Sequence, residues 1–152
     1  MQIIHKEVSE LTAGEYRAMK AANFGPEEGY MHNELVACRK HNRKGITVAL
    51  WTDGDDRRLI GWALLTPVRL YGDVAGTWWT KKKSKYSVQF WVKERFREKG
   101  YGKILMDEVK KHDRRPHVFP HDPASGNFFS SYDVTIMRID KEWLVKGKPR
   151  VA

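Results

Sequence analysis

The stretch Val92-Lys-Glu-Arg-Phe-Arg-Glu-Lys-Gly-Tyr-Gly102, running directly into Lys103-Ile-Leu-Met-Asp-Glu-Val-Lys-Lys-His112, constrains the fold of this 152-residue chain more than any other. It joins the end of an apolar, strand-like segment, Tyr86-Ser-Val-Gln-Phe-Trp-Val92, to a glycine-containing turn and then to an amphipathic helix. A helix entered this way begins with backbone N–H groups that have no intrahelical partner, and its macrodipole adds positive potential at the same end. Such a loop is suited to a phosphate or pyrophosphate. Gly100 and Gly102 let the backbone approach an anion closely, and Arg97, Lys99 and Lys103 add charge.

Two better-known phosphate loops do not fit. A Walker A loop needs a glycine where Arg97 stands and a Ser or Thr where Ile104 stands, and a dinucleotide fingerprint needs a third glycine where Leu105 stands. What remains is V-x-x-x-x-R-x-x-G-x-G on a strand, loop and helix, and this resembles motif A of the GNAT superfamily of N-acetyltransferases. The resemblance implies acetyl-CoA as co-substrate, its pantetheine arm held by the strand's backbone and its pyrophosphate by the loop. Carried over by position, it assigns Phe90, Trp91, Val92, Arg97, Glu98, Lys99, Gly100, Tyr101, Gly102 and Lys103 to cofactor binding.

The rest of the chain reads as an α+β order. Gln2 to Val8 is a strand, and Ser9 or Thr12 caps a helix reaching Met19 to Ala22. Asn23-Phe-Gly-Pro-Glu-Glu-Gly29 breaks it before a second helix from Met31 to about His41, with Leu35, Val36 and Cys38 partly inward. Ile46 to Trp51 and Leu59 to Val68 are strands flanking the hairpin chemistry of Thr52-Asp-Gly-Asp-Asp56. After the glycine-loop helix come a short strand at His117 to Pro120, a helical stretch from Ala124 to Tyr132, and strands near Val134 to Ile139 and Trp143 to Val145. This order also looks like the GNAT fold. A single domain over residues 1–152 is expected, with a mixed, mostly antiparallel central sheet flanked by helices. Two splayed parallel strands, the one ending at Val92 and the one at His117, would form the acetyl-CoA wedge.

Aminolysis of a thioester needs a neutral amine, stabilisation of the tetrahedral oxyanion and protonation of the leaving thiolate. The resemblance places the oxyanion against a backbone N–H near Trp91 or Val92, gives proton donation to Tyr132 and a pantetheine contact to Asn127. Tyr132 follows Asn127 by fewer residues than the family commonly shows, and Ser125 stands at the commoner offset. The general base stays open, because Tyr86 occupies the place where many relatives carry a strand glutamate. Glu27, Glu28, His32 and Glu34 are the supply on the acceptor side, with Glu28 and His32 the nominated pair, and His121 and Asp122 are further candidates. His117 and His121, four residues apart, have a spacing that could approach one metal, but as turn histidines near prolines they read as structural, and no metal site is expected.

Met1-Gln-Ile-Ile-His-Lys-Glu7 lacks the apolar core of a signal peptide, and Leu59-Ile-Gly-Trp-Ala-Leu-Leu65 is too short to span a bilayer. The single Cys38 fits a reducing compartment, so a cytoplasmic protein without membrane partners is expected. The net charge of +9 gathers at Arg39 to Lys44, Lys81 to Lys85, the glycine loop and Lys110 to Arg115, more than one cofactor requires. A nucleic acid is therefore a candidate partner, alongside the bland reading of a solvated basic surface. Trp78 and Trp79 beside Lys81 would suit base stacking or core packing equally. Acceptors in play are a free amine of unknown class or an amine carried on nucleic acid, such as a charged tRNA or modified base. A non-enzymatic nucleic-acid-binding module is the third reading, and a homodimer is a candidate assembly.

Overall fold

The computed structural model describes residues 1–22, 30–67, 85–118 and 123–136. Its elements are β1 (Gln2–Glu7), α1 (Ala13–Ala21), α2 (Tyr30–Lys40), β2 (Ile46–Trp51), β3 (Leu59–Pro67), β4 (Tyr86–Val92), α3 (Tyr101–Val109), β5 (His117–Val118), α4 (Pro123–Ser130) and β6 (Thr135–Ile136). They fall into two compact units: Met1–Thr66 with Gln89–Lys111, and Pro67–Val88 with His112–Ala152.

In the first unit β1 pairs antiparallel with β2, Gln2 opposite Trp51 and Glu7 opposite Ile46, and β2 pairs antiparallel with β3. The end of β4 continues the sheet beside β3: the Lys93 N–H donates to the Ile60 carbonyl at 2.8 Å, and Gly61 lies against Trp91 and Val92. Strands β2 and β3 read as unbroken apolar runs because protein covers both of their faces; from Thr47 to Trp51 and from Leu59 to Leu65 every residue is buried. Ala49, Trp51, Leu59, Trp62 and Leu64 pack with Met19 of α1 and with Met31, Leu35 and Cys38 of α2. Trp62 is fully buried, and its indole N–H donates to the Ala22 carbonyl, tying the end of α1 to β3. Helix α3 turns Leu105, Met106 and Val109 inward.

Of the two caps expected for α1, Thr12 is the one used. Its hydroxyl accepts the Glu15 N–H at 3.1 Å while the Glu15 carboxylate accepts the Thr12 N–H at 2.9 Å, a reciprocal capping box. Ser9 lies in a short 3₁₀ turn, Val8–Glu10, that precedes it. Glu15 does more than cap. Its carboxylate is only 3% exposed, yet it receives Lys6 Nζ at 2.8 Å and Arg57 Nη2 at 2.9 Å. Burial alone would raise its pKa, but the Lys6, Thr12 and Arg57 hydrogen bonds together hold it at about 2, against an ordinary 4.5.

A folded-state pKa below the unfolded one means stability that is complete above the ordinary pKa and is lost as pH falls from 4.5 through about 2. We expect this loss to reach about 2 to 3 kcal/mol. Glu15→Gln, which keeps the cap but not the charge, should lower neutral-pH stability by about 2 kcal/mol and flatten the acid limb of denaturant midpoints measured from pH 6 to 2. An acid limb as steep in the variant as in the parent would assign the acid sensitivity to other groups.

In the second unit the start of β4 pairs parallel with β5, Ser87 opposite His117 and Val88 opposite Val118, and β5 pairs parallel with β6. Buried Asp113 anchors the beginning of β4: its Oδ2 accepts the N–H groups of Lys85 and Tyr86 at 2.7 and 2.8 Å, and its Oδ1 that of Arg115 at 3.1 Å. The parallel β4–β5 pairing spans these two residue pairs, the expected α+β arrangement of a mostly antiparallel sheet with one parallel neighbour for β4.

Helix α3 starts at Tyr101, directly after the left-handed Gly100. Several boundaries differ from the sequence expectation. Helix α4 begins at Pro123, a residue preset for the first helical turn, and ends at Ser130. The hydroxyls of Ser130 and Ser131 turn back onto the carbonyls of Asn127 and Phe128, and Tyr132 consequently stands in the turn beyond the helix instead of on it. Residues 119–120 of the expected His117 strand and the whole Trp143 to Val145 strand lie outside the described residues.

Candidate functional site: the strand, glycine loop and helix around Gly100

From Val92 the chain makes one 3₁₀ turn, Glu94–Phe96, with Phe96 N–H bonded to the Lys93 carbonyl and Arg97 N–H to that of Glu94. Arg97 then turns back, its Nε donating to the Val92 carbonyl at 2.8 Å, so this guanidinium clamps the loop onto the end of β4. Phe96 and Tyr101 meet edge to face at 5.7 Å between centroids and brace the loop from its two sides.

Between these anchors the backbone takes two left-handed residues, Glu98 at φ +62° and Gly100 at φ +87°. A non-glycine residue in that region is uncommon, and alternation of backbone hand is the geometry that turns successive N–H groups toward one point. Gly100 caps α3 with no side chain of its own, and the first intrahelical bond runs from Ile104 N–H to the Gly100 carbonyl at 3.2 Å. The N–H groups of Tyr101, Gly102 and Lys103 therefore precede the helical ladder, where the macrodipole is positive. Nothing lies within 4 Å of where a Cβ on Gly100 would sit. Lys99 and Lys103 are exposed on the same turn. The arrangement can receive a phosphate-sized anion on main-chain donors, with lysines adding long-range attraction.

On the strand itself, Phe90 and Trp91 are half-buried and Val92 is buried. Trp91 packs its side chain against the core beneath α1 and α2.

The other nominated residues are placed as follows. His32 lies on α2 with Nδ1 3.0 Å from the Lys20 carbonyl. A carbonyl only accepts, so Nδ1 carries a proton and Nε2 is the ring nitrogen not used in this bond. Glu34 is half-buried on the same helix. Glu27, Glu28, His121, Asp122, Trp78, Trp79 and Lys81 lie outside the described residues.

In the second unit, Asn127 is exposed on α4. Tyr132 is half-buried, its ring 5.1 Å from that of Phe128, its N–H on the Phe129 carbonyl and its own carbonyl accepting from Val134 N–H. His117 is buried, and burial pushes its imidazole pKa down while the charge of Asp113 pulls it back. Cys38 is a buried thiol outside any disulfide. Within the basic clusters, Arg39 Nη1 donates to the carbonyls of Val8 and Leu11 at 2.9 and 3.0 Å and its guanidinium lies over the Tyr16 ring, so this cation is engaged in holding α2 to the first turn. Sequence reasoning assigned Arg97 to the cofactor and missed its bond to Val92, which no spacing rule signals. Among the described residues no helix is long and apolar enough to cross a membrane.

A strand, a left-handed glycine turn and a helix start with no side-chain cap make a main-chain cradle of the kind suited to a phosphorylated ligand. The sequence pattern of the acetyltransferase (GNAT) family matches residues 7–129, and the chain belongs to that family. It is thus an acetyltransferase of a family that generally uses acetyl-CoA. No curated protein and no solved structure gives a significant match.

Proposed function

We propose that the protein is an N-acetyltransferase, moving the acetyl group of acetyl-CoA directly to a primary amine while both substrates are bound, within one catalytic domain and in the cytoplasm. The observation that carries this reading is the Gly100 turn, whose open Cβ position and uncapped α3 start fit a pyrophosphate. Acetyl-CoA supplies an activated thioester. The chain supplies the rest. The N–H groups of Tyr101, Gly102 and Lys103 bind the pyrophosphate, Arg97 keeps that loop fixed to the strand, and the backbone of Phe90, Trp91 and Val92 directs the pantetheine. A main-chain N–H near Trp91 or Val92 receives the developing oxyanion. Tyr132 donates a proton toward the departing sulfur, and Asn127 assists in holding the arm. His32 Nε2, or the Glu28 carboxylate, removes the amine proton directly or through water.

The amine's own class is the open part of the reading. A net charge of +9 favours an amine carried on a polyanion as the second reading. The test is release of free thiol from acetyl-CoA across small amines, peptides, aminoacyl-tRNA and nucleic acid, with mass analysis of the acceptor. We expect acceptor-dependent thiol release and an acetyl group on nitrogen. Binding of acetyl-CoA with no thiol released by any acceptor would leave a binding protein on an acetyltransferase fold.

A further inference from the structure

A pocket of about 420 Å³ lies in the first unit. Its wall is formed by Ala18 and Ala21 of α1, by Ala22 just beyond it and by Trp51 and Trp91, and its rim carries Arg58 and Lys93. The volume falls in the range of small-molecule sites, roughly 300 to 1,000 Å³. The small alanine side chains and the two indoles give the wall an apolar character that suits a flat group. Arg57 also borders it but is already committed, bonded to Glu15 at 2.9 Å and lying over the Trp51 ring at 4.7 Å.

Two features of this lining are unexplained by the fold. Trp51 is 4% exposed, and its indole N–H has no acceptor among the described residues, a buried donor that costs stability unless something meets it. On the rim, the Arg58 guanidinium reaches only the fully solvated Asp56, at 3.8 Å, and no acidic side chain pairs with Lys93 among the described residues. Two indoles in the lining and two cations at the edge are complementary to one kind of molecule. It has a planar apolar body and a negative charge.

We propose that this pocket binds a small planar carboxylate, its ring between Trp51, Trp91 and the α1 alanines and its carboxylate on Arg58 and Lys93. The proposal does not rest on the acetyl-transfer reading, since binding is measured without acetyl-CoA. The probe is 2-naphthoate, with uncharged 2-naphthamide as control, followed by calorimetry and by ligand-observed NMR on the full chain. We expect saturable binding of 2-naphthoate with a dissociation constant in the micromolar to millimolar range and at least tenfold weaker binding of the amide. One charge-assisted contact contributes that much. The surface double variant Arg58→Gln/Lys93→Gln should lose at least tenfold in naphthoate affinity and little for the amide. Ala18→Leu, which fills the pocket, should abolish both. Should Ala18→Leu fail to fold, the double variant decides alone. Equal affinity for naphthoate and naphthamide, unchanged affinity in the double variant, or no binding at millimolar probe would each overturn the proposal.

Discussion

Tyr132→Phe is expected to bind acetyl-CoA about as tightly as the parent while its kcat falls by roughly tenfold to a thousandfold. The change removes one hydroxyl and keeps the ring, whose contact with Phe128 at 5.1 Å is apolar and survives. A thiol has an ordinary pKa near 8.5 and a phenol near 10, so the tyrosine can lend its proton to a departing thiolate only from hydrogen-bond range, with no help from a favourable pKa difference. The corresponding loss of transition-state stabilisation is about 1.4 to 4 kcal/mol. The affinity is the control: phenylalanine keeps the ring contact with Phe128 and the residue 132 N–H bond to Phe129. Unchanged kcat would remove Tyr132 from the chemistry and leave protonation to water.

The largest effect on stability should come from a residue with no side chain. A Cβ on Gly61 would lie 2.8 Å from the Trp91 carbonyl oxygen, 3.1 Å from Val92 Cγ2 and 3.2 Å from Val92 Cα. Two of those atoms are backbone and cannot rotate aside, so β3 and β4 would have to separate. Gly61→Val adds two further methyls to the same clash and is expected to cost about 3 kcal/mol or more, read as a fall in the denaturant midpoint. Since the displaced residues are those proposed to direct the pantetheine, acetyl-CoA affinity should fall in the folded fraction as well. A Gly61→Val protein as stable as the parent would mean that the two strands approach less closely than described.

These two residues also mark how far the sequence could be read. The loop around Gly100 was legible because its signals are local: a glycine where the backbone must be left-handed, basic residues beside it, and an apolar strand and amphipathic helix on either side. Strands β2 and β3 were legible for a similar reason, since burial on both faces leaves an unbroken apolar run. Gly61 sits inside such a run, and the close approach of Trp91 that requires it comes from a strand thirty positions later, beyond any local pattern. Glu15 looked like one acid among many on a helix start. Its partners Lys6 and Arg57 are 9 and 42 residues away and meet it only once β1, α1 and the β2–β3 connection are assembled. The end of α4 was misplaced by two residues because serine hydroxyls compete for its last carbonyls, a contest that helix propensity does not encode. The general base could not be fixed from sequence because several acids and one histidine share the same stretch, and Glu27 and Glu28 lie outside the described residues.

The central claim is that the Gly100 turn and the start of α3 hold the pyrophosphate of acetyl-CoA, and calorimetric titration of acetyl-CoA into the parent protein and Gly100→Val tests it most directly. At φ +87° a valine is strained, so the variant's melting temperature is measured alongside to establish that it is folded. The account predicts saturable one-to-one binding to the parent, with affinity in the micromolar to millimolar range usual for enzyme substrates, and at least a tenfold loss in the folded variant. No binding to the parent at millimolar acetyl-CoA, or equal affinity in parent and folded variant, would contradict it.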